Sequence, residues 1–356
     1  MNAKMKDFLS RLLDAHGPSG QEGAAVAVWR EEAASFAQET WGDVHGNSFA
    51  LINPDGSPSV MLAGHIDEIG FIVHHIDDAG YLWVKAVGGW DAQVLVGQRV
   101  DVLTAGGPVI GVVGRSAIHL LEREALDKAV KLKDLWIDIG ASDGDEARAR
   151  VAIGDVGVIR SDTVELANGR IAARSVDDRV GAAVVLEALR IAADGGCAAR
   201  VVAVATTQEE ISYVTGGGAR TGSFGLDPSL AVVVDVTHAI DHPGVDHKEH
   251  GAVKLGGGPV LGRGAAVNPV VYERLAAAAG REGIDVQVQA LPAMTGTDAD
   301  AIRMARAGVA TGIVSIPNRY MHSPNQIVTA GDVEASARLI GSFLADLADG
   351  DSFLPH

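Results

Sequence analysis

Two adjacent carboxylates, Glu209 and Glu210, follow the apolar run at residues 201–205. A valine-rich run of that length reads as a buried strand, and open α/β sheets bind ligands beyond the carboxyl ends of their strands. Neighbouring carboxylates repel, so the pair calls for a metal, a shared proton or a division of catalytic labour. Other segments place ligand-type residues at the ends of predicted strands. His65 follows residues 59–63, Asp177 follows 170–175, Asp235 follows 230–234, and His322 lies beyond 312–316. In a parallel sheet, strand ends of one polarity share one edge. Two histidines with several carboxylates suit zinc, cobalt or manganese, whereas calcium would take oxygens alone. Two ions bridged by one carboxylate would use five donors and leave one acid free as a general base toward an activated water.

Each residue alone has a plainer reading. His65 could be a hydrogen-bonded structural histidine, Asp177 a helix cap and Asp235 the start of a turn. A glutamate pair behind a buried strand has no such local motive, and the joint placement carries the argument.

The elements that must position these residues follow from periodicity. Met5, Phe8, Leu9, Leu12 and Leu13 recur at helical spacing. A second helix runs through Val26, Trp29 and Phe36, beyond the break at Gly17-Pro18-Ser19-Gly20. Strands at residues 48–52 and 59–63 are joined by the turn Asn53-Pro54-Asp55-Gly56. From about Gly70 to Ile159 short β runs alternate with glycine turns, which predicts a small β-rich barrel or sandwich. A helix over residues 180–193 closes at Gly195-Gly196. The last helix runs through Val333, Leu339, Ile340, Phe343, Leu344 and Leu347, with Asp332 as its N-cap. The predicted fold is α/β: a mixed, mainly parallel sheet with helices on both faces, interrupted by the barrel. Residues 1–69 and 160–356 then form a discontinuous catalytic domain and residues 70–159 an insertion.

Composition narrows the function classes. With 356 residues, 47% hydrophobic and 21% charged, the chain is globular and long enough for two domains. A net charge of −17 argues against nucleic acid or an anionic membrane as partner. Cys197 is the single cysteine, so no internal disulfide can form. No apolar run reaches the length of a membrane span, and Met1 to Asp7 lack a secretory h-region, so the expected setting is cytoplasmic.

Several histidines lie outside the constellation. His238, His242, His247 and His250 crowd one segment, read as a polar loop near the site rather than a second metal centre. His74-His75 reads as hairpin surface, and Gly256-Gly257-Gly258 as a plain loop with no phosphate-binding context. Arg319 and Tyr320 precede His322 and either shape the pocket or pack beneath it. Cys197 receives no role.

The motifs Gly64-His65-Ile66-Asp67-Glu68, Ser175-Val176-Asp177-Asp178-Arg179, Gln208-Glu209-Glu210, Val234-Asp235-Val236-Thr237 and Arg319-Tyr320-Met321-His322-Ser323-Pro324 occur in this order, together with Gly296-Thr297-Asp298-Ala299. The chain thereby resembles, over nearly its whole length, the di-metal aminopeptidases of metallopeptidase family forty-two, which include glutamyl aminopeptidases and the tetrahedral TET peptidases. The resemblance implies that His65 and Asp235 bind one metal, Glu210 and His322 the other, and that Asp177 bridges them with a cis peptide to Asp178. It implies Glu209 as general base and Asp67 as the acceptor that fixes the His65 tautomer. The metals would be two divalent ions, zinc first, with cobalt or manganese as alternatives. The substrates would be peptides with free N-termini. The insertion would be a dimerisation domain, and the family's dimers often assemble into dodecamers.

Departures from the family fall near the expected substrate pocket. The segment from Ile211 to Ala219 looks longer, and Thr295 and Asp300 stand where glycine is frequent. Two alternatives accompany the aminopeptidase reading: an N-acyl deacylase or deblocking hydrolase on the same site, and a non-catalytic metal-binding assembly protein. Some relatives carry an endoglucanase label, but a glycosidase needs two carboxylates flanking a sugar, with none to spare for metals.

Overall fold

The computed structural model describes residues 1–123, 128–212 and 215–355. Tyr213 and Val214, in the lengthened segment after Glu210, lie outside the described residues. The chain opens with helices α1 (Ala3–Asp14) and α2 (Gly23–Ala34), then strands β1 (Glu39–Gly42), β2 (Ser48–Ile52) and β3 (Ser59–His65). Next come β4 (Gly70–Ile76), β5 (Leu82–Val87), β6 (Arg99–Thr104), β7 (Gly107–Gly114), β8 (Trp136–Asp138), α3 (Gly144–Arg150) and β9 (Val156–Ile159). β10 (Val164–Leu166), β11 (Arg170–Ala173), α4 (Val176–Gly195), β12 (Arg200–Thr206), α5 (Gly217–Leu226) and β13 (Leu230–His238) follow. The remainder is α6 (His247–His250), β14 (Val260–Gly264), α7 (Pro269–Glu282), β15 (Gln287–Leu291), α8 (Ala299–Ile302), β16 (Ala310–Asn318), β17 (Gln326–Thr329) and α9 (Ala330–Ala345).

The architecture is mixed α/β with more than one sheet. The main sheet has the order β1-β2-β12-β3-β13-β16-β14-β15. Its four central strands, β12, β3, β13 and β16, are mutually parallel, while β2 and β14 join them antiparallel. One apolar cluster joins this sheet to α1, α2, α4, α7 and α9; another lies on the opposite face with α5 and α8. Strands β4 to β9 close into a separate six-stranded barrel with its own apolar core. His74 and His75 are exposed on β4, at a break in its pairing with β5.

Three local expectations are corrected. Asp235 does not end its strand, because β13 continues to His238 paired with β16. Asp177 does not follow a strand of the main sheet: β11 belongs to a three-stranded sheet with β10 and β17. Helical residues begin at Val176, although Asp177 and Asp178 themselves are non-helical. The N-cap of α9 is Thr329, whose hydroxyl accepts the Asp332 amide; Asp332 instead accepts the amides of Gly256 and Gly258 at 2.8 and 2.9 Å.

Helix α4 is apolar nearly all round because it lies inside, between the sheet and the helices α1 and α9. It crosses β3 at Gly64. A Cβ there would come within 2.6 Å of the Gly181 and Ala182 backbone, so glycine is what allows the approach that brings the start of α4 beside the end of β3.

Candidate metal centre

The parallel strands bring the donors to one edge by register. Thr206, the last residue of β12, pairs with His65, the last residue of β3. The β3–β13 pairing at Leu230 with Val60, carried forward five residues, puts Asp235 level with His65. Glu209 and Glu210 follow β12, and His322 follows β16. Asp177, at the start of α4, completes the set from the helix layer, and its peptide bond to Asp178 is cis.

The Asp177 carboxylate lies between two imidazoles. Its Oδ1 is 3.0 Å from His65 Nε2 and its Oδ2 3.3 Å from His322 Nε2. His322 Nε2 is also 3.3 Å from Glu210 Oε2. Potential donor atoms form two groups, His65 with Asp177 and Asp235, and Asp177 with Glu210 and His322, each with its atoms within 4.8 Å of one another. Glu210 Oε1 is buried with no hydrogen-bond partner among the described residues. Imidazole nitrogens, clustered carboxylates and an orphaned buried oxygen make a donor set that fits divalent cations. Glu209 stands at the rim of this group, its Oε2 3.9 Å from His65 Nε2.

Asp67 organises the surroundings. Fully buried, it accepts the Ser19 hydroxyl at 2.6 Å and the amides of Glu209 and Glu210 at 3.1 and 3.2 Å. His65 Nδ1 lies 3.4 Å from its carboxylate and 3.2 Å from its main-chain oxygen, so both acceptors orient the ring. Gln208, Tyr320 and His322 occupy the left-handed region at φ of 60°, 62° and 58°. Non-glycine residues hold that conformation, at roughly 1–3 kcal/mol each, only where their surroundings over-determine it. For Gln208 the determinant is the Asp67 clamp on the two following amides. For the His322 segment it is Arg319, whose guanidinium grips Asp241 at 2.7 and 2.9 Å.

The electrostatics are those of a cluster short of positive charge. Burial pushes Glu209 well above the ordinary carboxylate range, and the neighbouring charges of Asp235, Asp298 and Glu210 add to this against the pull of His65. Burial likewise raises Glu210, with Asp177 adding to it, and Asp235. Burial disfavours a charged His322, yet its contacts with Asp177 and Glu210 outweigh that and push its pKa up to about 11. Cations at these donors would hold the carboxylates ionised and the imidazoles neutral.

A cavity of about 430 Å³ opens over the donors and is walled by His238, Gln289, Thr295, Thr297 and Met321 among others. The barrel segment reaches it too: Gly89 lies against His322, where a Cβ would sit 3.3 Å from Nδ1. The sequence reading missed Gly89, Gln289, Ser19 and the Thr206 hydroxyl that binds Asp298. Only Gly89 left a signal, the Gly88-Gly89 doublet in a strand-forming stretch. His238 lines the site cavity and His242 and His250 an adjoining one, with no further group of three donors among the described residues. Asp300 accepts the amides of Thr295 and Gly296 at 2.8 and 3.0 Å, fixing the turn that edges the cavity.

Comparison with known proteins gives concordant results. A family described as M42 glutamyl aminopeptidase matches residues 46–339. A lysyl aminopeptidase of Pyrococcus furiosus is 34% identical over 349 residues, covering 97% of this chain and 98% of that protein. The crystal structure of a TET aminopeptidase from a marine sediment archaeon of the Thaumarchaeota superposes with a TM-score of 0.91 at 35% identity, covering 97% and 96% of the two chains. Pyrococcus horikoshii TET1 peptidase, described as able to assemble into a tetrahedron or a large octahedral shell, gives 0.84 at 28% identity over 96% of this chain and all of the other.

Proposed function

The chain belongs to the M42 glutamyl aminopeptidase family, and from that premise we propose how its residues divide the work of a metal-dependent aminopeptidase, a hydrolase of peptide bonds. His65 and Asp235 would hold one divalent cation and Glu210 and His322 a second, with Asp177 common to both donor groups. The observation that carries this reading is the Asp177 carboxylate, with one oxygen facing each histidine. Zinc fits the donors first, with cobalt and manganese as alternatives. Two bound cations supply Lewis acidity for the scissile carbonyl and acidify a water.

The chain's own groups do the rest. Glu209, free of the two donor groups, takes the proton from the attacking water and returns it to the leaving amine. Asp67 keeps Glu209 and Glu210 in place through their amides and fixes the His65 ring. The substrates are peptides with free N-termini. Residues 1–69 and 160–356 form the catalytic domain and residues 70–159 a dimerisation domain, and the subunits self-associate as a homodimer or as a dodecamer built from such dimers. The setting is cytoplasmic, in keeping with the single cysteine. Among the described residues no helix is long and apolar enough to cross a membrane.

The test is hydrolysis of aminoacyl-anilides, their N-acylated counterparts and short peptides by metal-stripped protein with zinc, cobalt or manganese restored. Metal-restored release of single N-terminal residues is expected. Activity confined to N-acylated substrates would replace this reading with the deacylase, and inactivity of folded, metal-loaded protein would replace it with the assembly role.

A further inference from the structure

The site cavity shares His238 and Gln289 with a second, larger cavity of about 710 Å³, whose wall includes Ile240, His242, Glu249 and His250. A third, small cavity lies behind Glu209 and is lined by Ser212, Thr297, Asp298 and Asp300. Among the described residues no lysine or arginine lines any of the three. Arg319 and Arg303 are engaged, by Asp241 and by Asp300 at 3.3 Å, and Arg220, beside Gly216 of the small cavity, donates to the Thr215 main-chain oxygen. Lys248 and Lys254 flank the outer cavity, but both are exposed and neither lines it. Among the described residues Glu249 has only His250 within ion-pair range, at 3.7 Å, so the outer wall carries a carboxylate with no lysine or arginine partner there.

Two divalent cations would balance the four carboxylates of Asp177, Glu209, Glu210 and Asp235. The charge that a substrate side chain meets is then that of the walls, which is negative. Resting on the aminopeptidase reading, we propose that this site selects N-terminal residues by charge: it favours basic side chains and rejects acidic ones, and Glu249 sets the preference. A glutamyl or aspartyl side chain would enter a cleft with no counter-charge and face an unpaired carboxylate. A lysyl or arginyl side chain would find its partner there, with Gln289 and the histidines as further acceptors. The polar walls still admit uncharged residues.

The experiment compares kcat/KM of the metal-loaded full-length protein on lysyl-, arginyl-, glutaminyl- and glutamyl-anilides at about pH 8, above the ordinary imidazole range. At low salt, lysyl and arginyl substrates should exceed glutamyl by at least about tenfold, a difference of about 1.4 kcal/mol. The ratio should shrink near 1 M salt, where the screening length falls to about 3 Å. Glu249→Lys should cut the lysyl-to-glutamyl ratio by about tenfold. Asp55→Lys makes the same change of charge on the turn before β3, at the far end of that strand from His65, and should leave the ratio as it is. Release of glutamate as fast as lysine, or a ratio that Glu249→Lys does not move, overturns charge selection while the aminopeptidase reading stands. Failure to release any N-terminal residue overturns both.

Discussion

Glu209 and Glu210 are adjacent in the chain, yet their proposed duties are opposite, and one carboxylate sets both. Asp67 accepts the two amides on separate oxygens, so the side chains leave the turn in fixed and different directions. Glu210 meets His322 and Asp177, whereas Glu209 stays at the rim. Glu209→Gln keeps the shape and removes the base. It should lower kcat by about 10³-fold, within the usual 10²–10⁴ for a positioned acid–base group, with metal content unchanged. Glu210→Gln should instead lose one metal equivalent, read by elemental analysis after dialysis. If Glu209→Gln also loses metal, or turns over at the native rate, the two roles are misassigned.

At the scale of elements, Arg179 ties the site's supports together. Wholly buried, it donates to the main-chain oxygens of Leu12 and Ile66 at 3.1 and 3.0 Å and to Glu68 at 2.8 Å. It thus joins α1, the turn after β3 and the start of α4. Arg179→Met takes the donor from the buried main-chain oxygens of Leu12 and Ile66 and leaves Glu68 with Arg174 and the Gly17 amide alone. It should cost about 2–5 kcal/mol, from orphaned buried acceptors, seen as a lower denaturant midpoint at constant slope. The strap holding His322 is weaker and pH-dependent. Burial raises the Asp241 pKa, but the contact with Arg319 outweighs it and leaves the group below its ordinary 3.8. A depressed carboxylate stabilises the fold above 3.8, and that contribution is lost as pH falls through the lower folded value. Asp241→Asn should therefore cost at most about 1 kcal/mol at neutral pH, and its deficit should narrow in melts below 3.8.

The same elements show what was legible in the sequence. The residues proposed as donors are picked out in the sequence because each comes just after an apolar run, and the fold brings their atoms into two groups within 4.8 Å. The misreadings arose where the deciding partner is distant. Asp332 looks like a cap but is used by Gly256 and Gly258, 76 and 74 residues earlier. Asp235 looks like a strand end because an acid interrupts valines, but pairing with β16 carries the strand onward. Ser19 and Gln289 are ordinary polar residues until the fold brings them to Asp67 and the cavity.

For the whole molecule, the barrel poses the remaining question, since part of its outer surface is apolar. Strand β7 turns Gly111 and Val113 inward and Ile110 and Val112 outward, and Ile118 and Leu120 beyond it are also exposed, Leu120 at 81%. Ile110 and Val112 share the outward face of β7, and exposed apolar side chains of this kind are where an interaction surface is sought. The chain's net charge of −17 opposes self-association, so a contact must bury enough apolar area to overcome that repulsion, and salt should strengthen it by screening. Val112→Lys combined with Leu120→Lys places charge on this face without touching the barrel core. By light scattering, the native protein should have a multiple of the subunit mass and the double variant a smaller species with unchanged circular dichroism. The five proposed donors all come from one chain, so the variant's kcat/KM on a single aminoacyl-anilide should fall by less than about tenfold. An unchanged mass would move the contact off the barrel. A loss of activity matching the loss of mass would mean that a neighbouring subunit completes the site.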